Sequence, residues 1–235
     1  LISGGVTQLN IVVGTVIASL QAGAVSYLYY ADRLYQLPLG IVGVAVGVVL
    51  LPDLARNLRA GNHASAMDNQ NRSVEFALLL TLPAAAALAV AAEPIIPLLF
   101  VRGCFSAADT LPTAAPLAAF AFGLPAFVLI KVVQPGFFAR EDTRTPMRYA
   151  VWNMALNVLG SVALFFLFQA LGWMPHVGIA IATPLSGWAN VWLLWATLKR
   201  RGHLQADDRL RRNVAMIGLS SAVMGAAVWA LAALP

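Results

Sequence analysis

The chain has 235 residues, 60% of them hydrophobic and only 11% charged, and its mean hydropathy is +0.77. Soluble domains carry about 45–50% apolar and roughly 25% charged residues, so this composition excludes a soluble enzyme, a nucleic-acid-binding module and a disordered chain. The net charge of +5 and the pI near 9.9 fit a few basic loops on an integral membrane protein.

Charge-free stretches mark the spans, and they run over 1–31, 34–52, 76–92, 110–130, 149–198 and 213–235. The fifth is too long for one crossing of ~20 residues. It contains the cluster Leu171-Gly172-Trp173-Met174-Pro175-His176, which reads as a short interfacial hairpin. The pattern therefore predicts helices over 4–21, 24–56, 73–98, 111–138, 147–170, 177–199 and 211–233. Backbone groups in hydrocarbon must be satisfied within their own segment, and no stretch alternates as a barrel strand does. The expected fold is all-α: a polytopic transmembrane bundle.

Seven crossings divide the loops between two sides. One side holds Arg56, Arg59, Arg72, Arg140, Arg144, Arg148, Lys199, Arg200, Arg201, Arg209, Arg211 and Arg212; the other holds Arg102. By the positive-inside rule the Arg-rich loops are cytoplasmic. Tyr27, Tyr29, Tyr30 and Trp173 suit the opposite interface. The basic loops contain the acids Asp68, Glu141, Asp142, Asp207 and Asp208, which argues against a lipid-binding patch of one sign. The single cysteine, Cys104, cannot form an intrachain disulfide. The first residue is not Met and no signal peptide is recognisable, so Leu1 reads as the interior of a longer protein.

Two basic residues fall within or beside apolar spans: Arg33 and Lys131. Asp32 and Arg33 form either a hairpin turn between two short helices or a charged step inside one long helix. Within a membrane an arginine costs ~2.5–3.5 kcal/mol and usually marks a site. Adjacent residues on a helix point ~100° apart, so this pair cannot readily neutralise itself. Pro38 predicts a kink one turn later, and Gly40, Gly43 and Gly47 a small-residue face for close packing. Lys131 lies near the Arg-rich end, where its stem can snorkel to the interface. Asn153 and Asn157, four residues apart, with Asn10 and Thr183, suit interhelical hydrogen bonds or the oxygen shell of a monovalent cation. Pro83, Pro125 and Pro184 interrupt apolar helices. His63, His176 and His203 fall in loops without metal-ligand spacing, and no catalytic motif appears.

YYADRLYQLPLGIVGVAVGVVLLPDLARN, starting at Tyr29, resembles the MurJ/MviN family of lipid II flippases, within the superfamily of multidrug, oligosaccharidyl-lipid and polysaccharide exporters. KVVQPGFFAREDTRTPMR from Lys131 and QLNIVVGTVIAS from Gln8 are further matching blocks. The resemblance implies the second lobe of a longer transporter over 1–199, then a basic loop and the start of a C-terminal helix pair over 200–235, with the first lobe absent. It implies movement of an undecaprenyl-pyrophosphate-linked peptidoglycan precursor across the bacterial inner membrane, by alternating access, for cell-wall biogenesis and cell shape. The family's essential cavity arginine falls on Arg33, which implies a buried site there; Asp32 and Lys131 are the other candidates for substrate contact. Some members bind sodium, and Asn10, Asn153, Asn157 and Thr183 are the matching positions, with amides where those members have carboxylates. The resemblance implies a transporter with the missing lobe and membrane lipids as partners, and no nucleic acid. The alternatives are an exporter of another polyprenyl-linked oligosaccharide or a drug, and a membrane enzyme acting on polyprenyl phosphates.

Overall fold

The computed structural model describes residues 12–232, without the side chains of 44–49 and 232. A helical segment over 12–18, here α1, leads through a turn into α2 (Ala24–Arg59). Then follow α3 (His63–Val90), α4 (Ala92–Phe100), a 3-10 turn (Ala107–Asp109), α5 (Thr110–Val133) and the single turn α6 (Pro135–Phe138). α7 (Arg144–Ala170), α8 (Pro175–Arg200) and α9 (Asp208–Ala232) complete the bundle. Five spans, built on α3, α5 with its flanking turns, α7, α8 and α9, are long and apolar enough to cross a membrane. α2 is longer still at 36 residues, about 54 Å at 1.5 Å per residue, against a hydrocarbon core of ≈30 Å. The chain is therefore a multi-pass membrane protein. The sequence-predicted helix over 4–21 lies largely outside the described residues.

α5 is the axis of the bundle and packs against α2, α3 and α8. Leu117, Leu124, Ala126 and Val128 are fully buried there, because the helix is surrounded by protein rather than lipid. α7 packs on α8 and α9 on α3, and both leave large apolar side chains outside, among them Trp152, Leu159, Leu219 and Trp229. α1 seats Ile17 and Ala18 against Ala24, Phe165 and Ile179. Exposed apolar side chains are the expected surface of a helix whose solvent is lipid.

Three expectations require correction. α3 begins at His63, ten residues before the predicted start at 73. Its first turns carry no apolar periodicity and are held instead by polar contacts. Arg72 pairs with Asp68 at 3.3 Å and with Glu75 and Asp207, and Asn71 donates to the Gln205 carbonyl at 2.8 Å. Second, the predicted helix over 73–98 is two helices that break at Ala91. Pro94 and Pro97 follow immediately and cannot donate backbone hydrogen bonds. Third, Pro83, Pro125 and Pro184 interrupt nothing, since α3, α5 and α8 run through them.

The three Arg-rich connections converge at one end of the bundle. Arg201 of the α8–α9 connection donates to Asp142 of the α6–α7 connection at 2.6 Å. Asp142 also accepts from the Thr145 N–H at 3.0 Å and the Thr145 hydroxyl at 2.7 Å. Burial favours its neutral form, but the hydrogen bonds from Arg201 and Thr145 and the Arg201 charge outweigh this and hold its pKa at about 2. A depressed carboxylate pKa stabilises the fold above the unfolded value of roughly 3.9 and loses that contribution as pH falls through the folded one. In a carboxyl NMR titration Asp142 should therefore titrate near about 2, and Arg201→Gln should move its midpoint up toward roughly 3.9. A wild-type midpoint already near the unfolded value would refute the Arg201–Asp142 pairing. The pKa of His203 in the same cluster is lowered as well, which for a histidine favours the neutral ring: burial first, then the charges of Arg140, Arg201 and His63.

Candidate functional site

α2 passes through Asp32 and Arg33 without a turn, so the long-helix reading holds and the hairpin reading fails. Arg33 lies on a stripe with Val25, Tyr29, Leu37 and Ile41, all exposed and spaced four residues apart. That spacing keeps them on one side of the helix. The stripe is otherwise apolar or aromatic, reaching 74% exposure at Ile41. Within this chain Arg33 is thus an exposed residue, where the resemblance implied burial. The reason is geometric: α2 turns this side away from α3 and α5, which cover Ala31, Tyr35 and Val42 on its other side.

Arg33 is nevertheless held in place. Its guanidinium sits 4.6 Å from the centre of the Tyr29 ring, a cation–π contact, and Nη1 is 3.5 Å from Gln36 Oε1. Gln36 also donates through Nε2 to Asp32 Oδ2. Gln36 therefore bridges two neighbouring charges that diverge on the helix. Its positions, four residues after Asp32 and three after Arg33, are the ones that face them, so this partner was findable from spacing alone. Arg33 forms no ion pair with an acid among the described residues, and its charge remains available.

Lys131 is not part of this group. Its Cδ lies 2.6 Å from the point where a side chain on Gly43 would begin, and its Nζ 3.0 Å from it. Gly43 is ten residues beyond Arg33, about 15 Å along α2. The lysine crosses the α2–α5 seam at a place that only glycine leaves open. Gly40 faces open space, so Gly43 alone of these two serves close packing.

The amides lie elsewhere again, in the α7–α8 seam. Asn157 Nδ2 donates to Thr183 Oγ1 and Ser186 Oγ, each at 3.2 Å. Those hydroxyls donate to the carbonyls of Ile179 and Thr183. Asn10 lies outside the described residues. Asn157 presents its NH2 rather than its oxygen to Thr183, and among the described residues no carboxylate joins the set. These residues do not by themselves fit a cation site, which needs convergent oxygens and charge compensation.

His176 departs most from expectation. It lies in the first turn of α8 rather than in a loop, and it is fully buried. Its backbone N–H donates to Gln21 Oε1 at 3.0 Å, its Nδ1 is 3.1 Å from the same oxygen, and its Nε2 is 2.8 Å from the Pro112 carbonyl. The Tyr27 ring packs at 5.6 Å, and the Tyr27 hydroxyl donates to Asp109 at 2.9 Å. His176 therefore ties the starts of α5 and α8 to the α1–α2 turn at the end away from the arginines. The partners are 64 and 155 residues distant, and no local signal announces them.

The comparisons agree with this geometry. The model of the family described as lipid II flippase MurJ matches residues 1–234. Proteins named probable lipid II flippase MurJ from Rhizobium tropici and from Rhizobium meliloti are 52% and 54% identical, each over 97% of this chain and 42% of its own length. The chain thus spans about two-fifths of the length of these curated relatives. A solved lipid II flippase MurJ in an inward closed conformation superposes with a TM-score of 0.80 at 27% identity, over 99% of this chain and 46% of that one. An outward-facing multidrug transporter of the MOP superfamily shares the fold alone, at 17% identity and a TM-score of 0.73, over 94% of this chain and 49% of its own. With a match over nearly its whole length, this chain belongs to the lipid II flippase MurJ family.

Proposed function

We propose that the chain is the C-terminal lobe of a flippase that carries undecaprenyl-pyrophosphate-linked peptidoglycan precursor across the bacterial inner membrane. The Arg-rich end faces the cytoplasm, and the rest of the longer protein supplies the opposing lobe for alternating access. The observation that carries this reading is Arg33: a held guanidinium in the middle of an apolar, uncovered helix stripe. Facing only lipid it would cost ~2.5–3.5 kcal/mol, so such a residue faces protein or a water-filled cavity. A guanidinium matches a diphosphate bidentately, and the pairing strengthens out of bulk water. Tyr29 and Gln36 limit its rotamers, so less freedom is lost when the diphosphate binds.

The fold is shared with a multidrug transporter, so substrate must be tested directly. The full-length protein that contains this chain should restore growth to a strain depleted of its lipid II flippase, and should bind lipid II when purified. Binding of another polyprenyl-linked oligosaccharide in preference to lipid II, without restored growth, would favour an exporter of that substrate. Failure of both would refute the proposal.

A further inference from the structure

At the Arg-rich end the seam between α7 and α8 opens into a cavity of about 160 Å³ lined by Thr145, Arg148, Tyr149, Thr197, Arg200 and Arg201. The Tyr149 hydroxyl lies 2.8 Å from that of Thr197. Toward the membrane interior the seam continues as a groove of about 350 Å³, which shares Tyr149 and is lined beyond it by Trp152, Asn153, Leu156, Asn190 and Leu193. The Oδ1 atoms of Asn153 and Asn190 are buried there without a hydrogen-bond partner.

The acids interleaved with these arginines do not neutralise the cavity. Asp142 is occupied by Arg201, Asp68 and Asp207 by Arg72, and Asp208 lies nearest Arg211, at 4.0 Å; Glu141 forms no ion pair among the described residues and does not line the cavity. Arg148 and Arg200 are exposed and form no ion pair among the described residues. Two unpaired guanidinium groups and the hydroxyls of Thr145, Tyr149 and Thr197 therefore border a cavity at the water–membrane boundary, and an apolar groove leads inward from it.

We propose that this seam binds an anionic phospholipid, with the phosphate between Arg148 and Arg200 and one acyl chain along Trp152, Leu156 and Leu193. The charge selects an anion, and guanidinium groups match phosphate oxygens in geometry as well as sign. Basic pockets between helices at the cytoplasmic side suit anionic headgroups. The groove selects a lipid over a free anion, because inorganic phosphate has nothing to place in it. The site is remote from Arg33 and does not depend on the flippase reading, only on the chain crossing a membrane.

The test is native mass spectrometry of the full-length protein released from vesicles of equal phosphatidylglycerol and phosphatidylcholine. The wild type should retain phosphatidylglycerol preferentially. Loss of both guanidinium charges in Arg148→Gln with Arg200→Gln should reduce that retention about tenfold, while Arg148→Lys with Arg200→Lys keeps most of it. Ala189→Phe, which fills the groove from α8, should reduce retention with both arginines intact. Equal retention by wild type and the glutamine variant would overturn the proposal. Displacement of the lipid by millimolar inorganic phosphate, with no effect of Ala189→Phe, would overturn it too and mark a free-anion site.

Discussion

Replacing Arg33 with Ala in the full-length protein should abolish rescue of a flippase-depleted strain and weaken lipid II binding about 10- to 100-fold. That range corresponds to loss of one charge-assisted bidentate contact, worth about 1.5–3 kcal/mol. The fold should survive, because Arg33 is exposed and its neighbours are Tyr29 and Gln36 on the same helix. Arg33→Lys keeps the charge but removes the planar fork and most of the stacking on Tyr29, so it should fall well short of wild type. Gln36→Leu should cost less than either arginine change, since it loosens the guanidinium without removing it. Growth at the wild-type rate with Arg33→Ala at normal expression would separate this residue from transport. Loss of growth accompanied by a lowered melting temperature would assign it to folding instead.

The spans were legible because the membrane leaves few choices. Uninterrupted apolar runs bounded by Arg-rich connections located α5, α7, α8 and α9 to within a few residues. Arg33 was legible for the same reason, as a charge in a place where charges are costly. What was not legible depends on packing between distant segments. The polar start of α3 has no apolar period, and it is helical because Arg72 and Asn71 find Asp207 and Gln205 more than 130 residues away. Lys131 resembled a companion of Arg33 by charge, yet a single glycine on α2 sets where it lies. His176 looked like a loop residue until Gln21 and Pro112 closed around it. The arginines near α7 and α8 looked neutralised by their acids, whereas pairing in space leaves Arg148 and Arg200 free of them.

The tightest helix crossing supplies the largest expected effect on stability. Gly178, in the first turns of α8, sits so close to α7 that an added Cβ would lie 2.6 Å from the carbonyl carbon of Leu164 and 2.7 Å from its oxygen. These are backbone atoms, which cannot rotate away as a side chain would. Gly178→Ala must therefore push α7 from α8, loosening the contact that also seats Phe165 and Ile179 against α1. Overpacking of this kind costs about 1–3 kcal/mol, against a gain of up to about 1 kcal/mol for alanine over glycine inside a helix. The balance is destabilising, and Gly178→Val should exceed it. Gly40→Ala is the matched control, because nothing lies within 4 Å of a Cβ there; it should leave the melting temperature unchanged or raise it. A Gly178→Ala protein that melts at or above the wild-type temperature would show that α7 and α8 can separate freely. The seam between them would then be a sliding surface, and the groove at its Arg-rich end would vary in width with it.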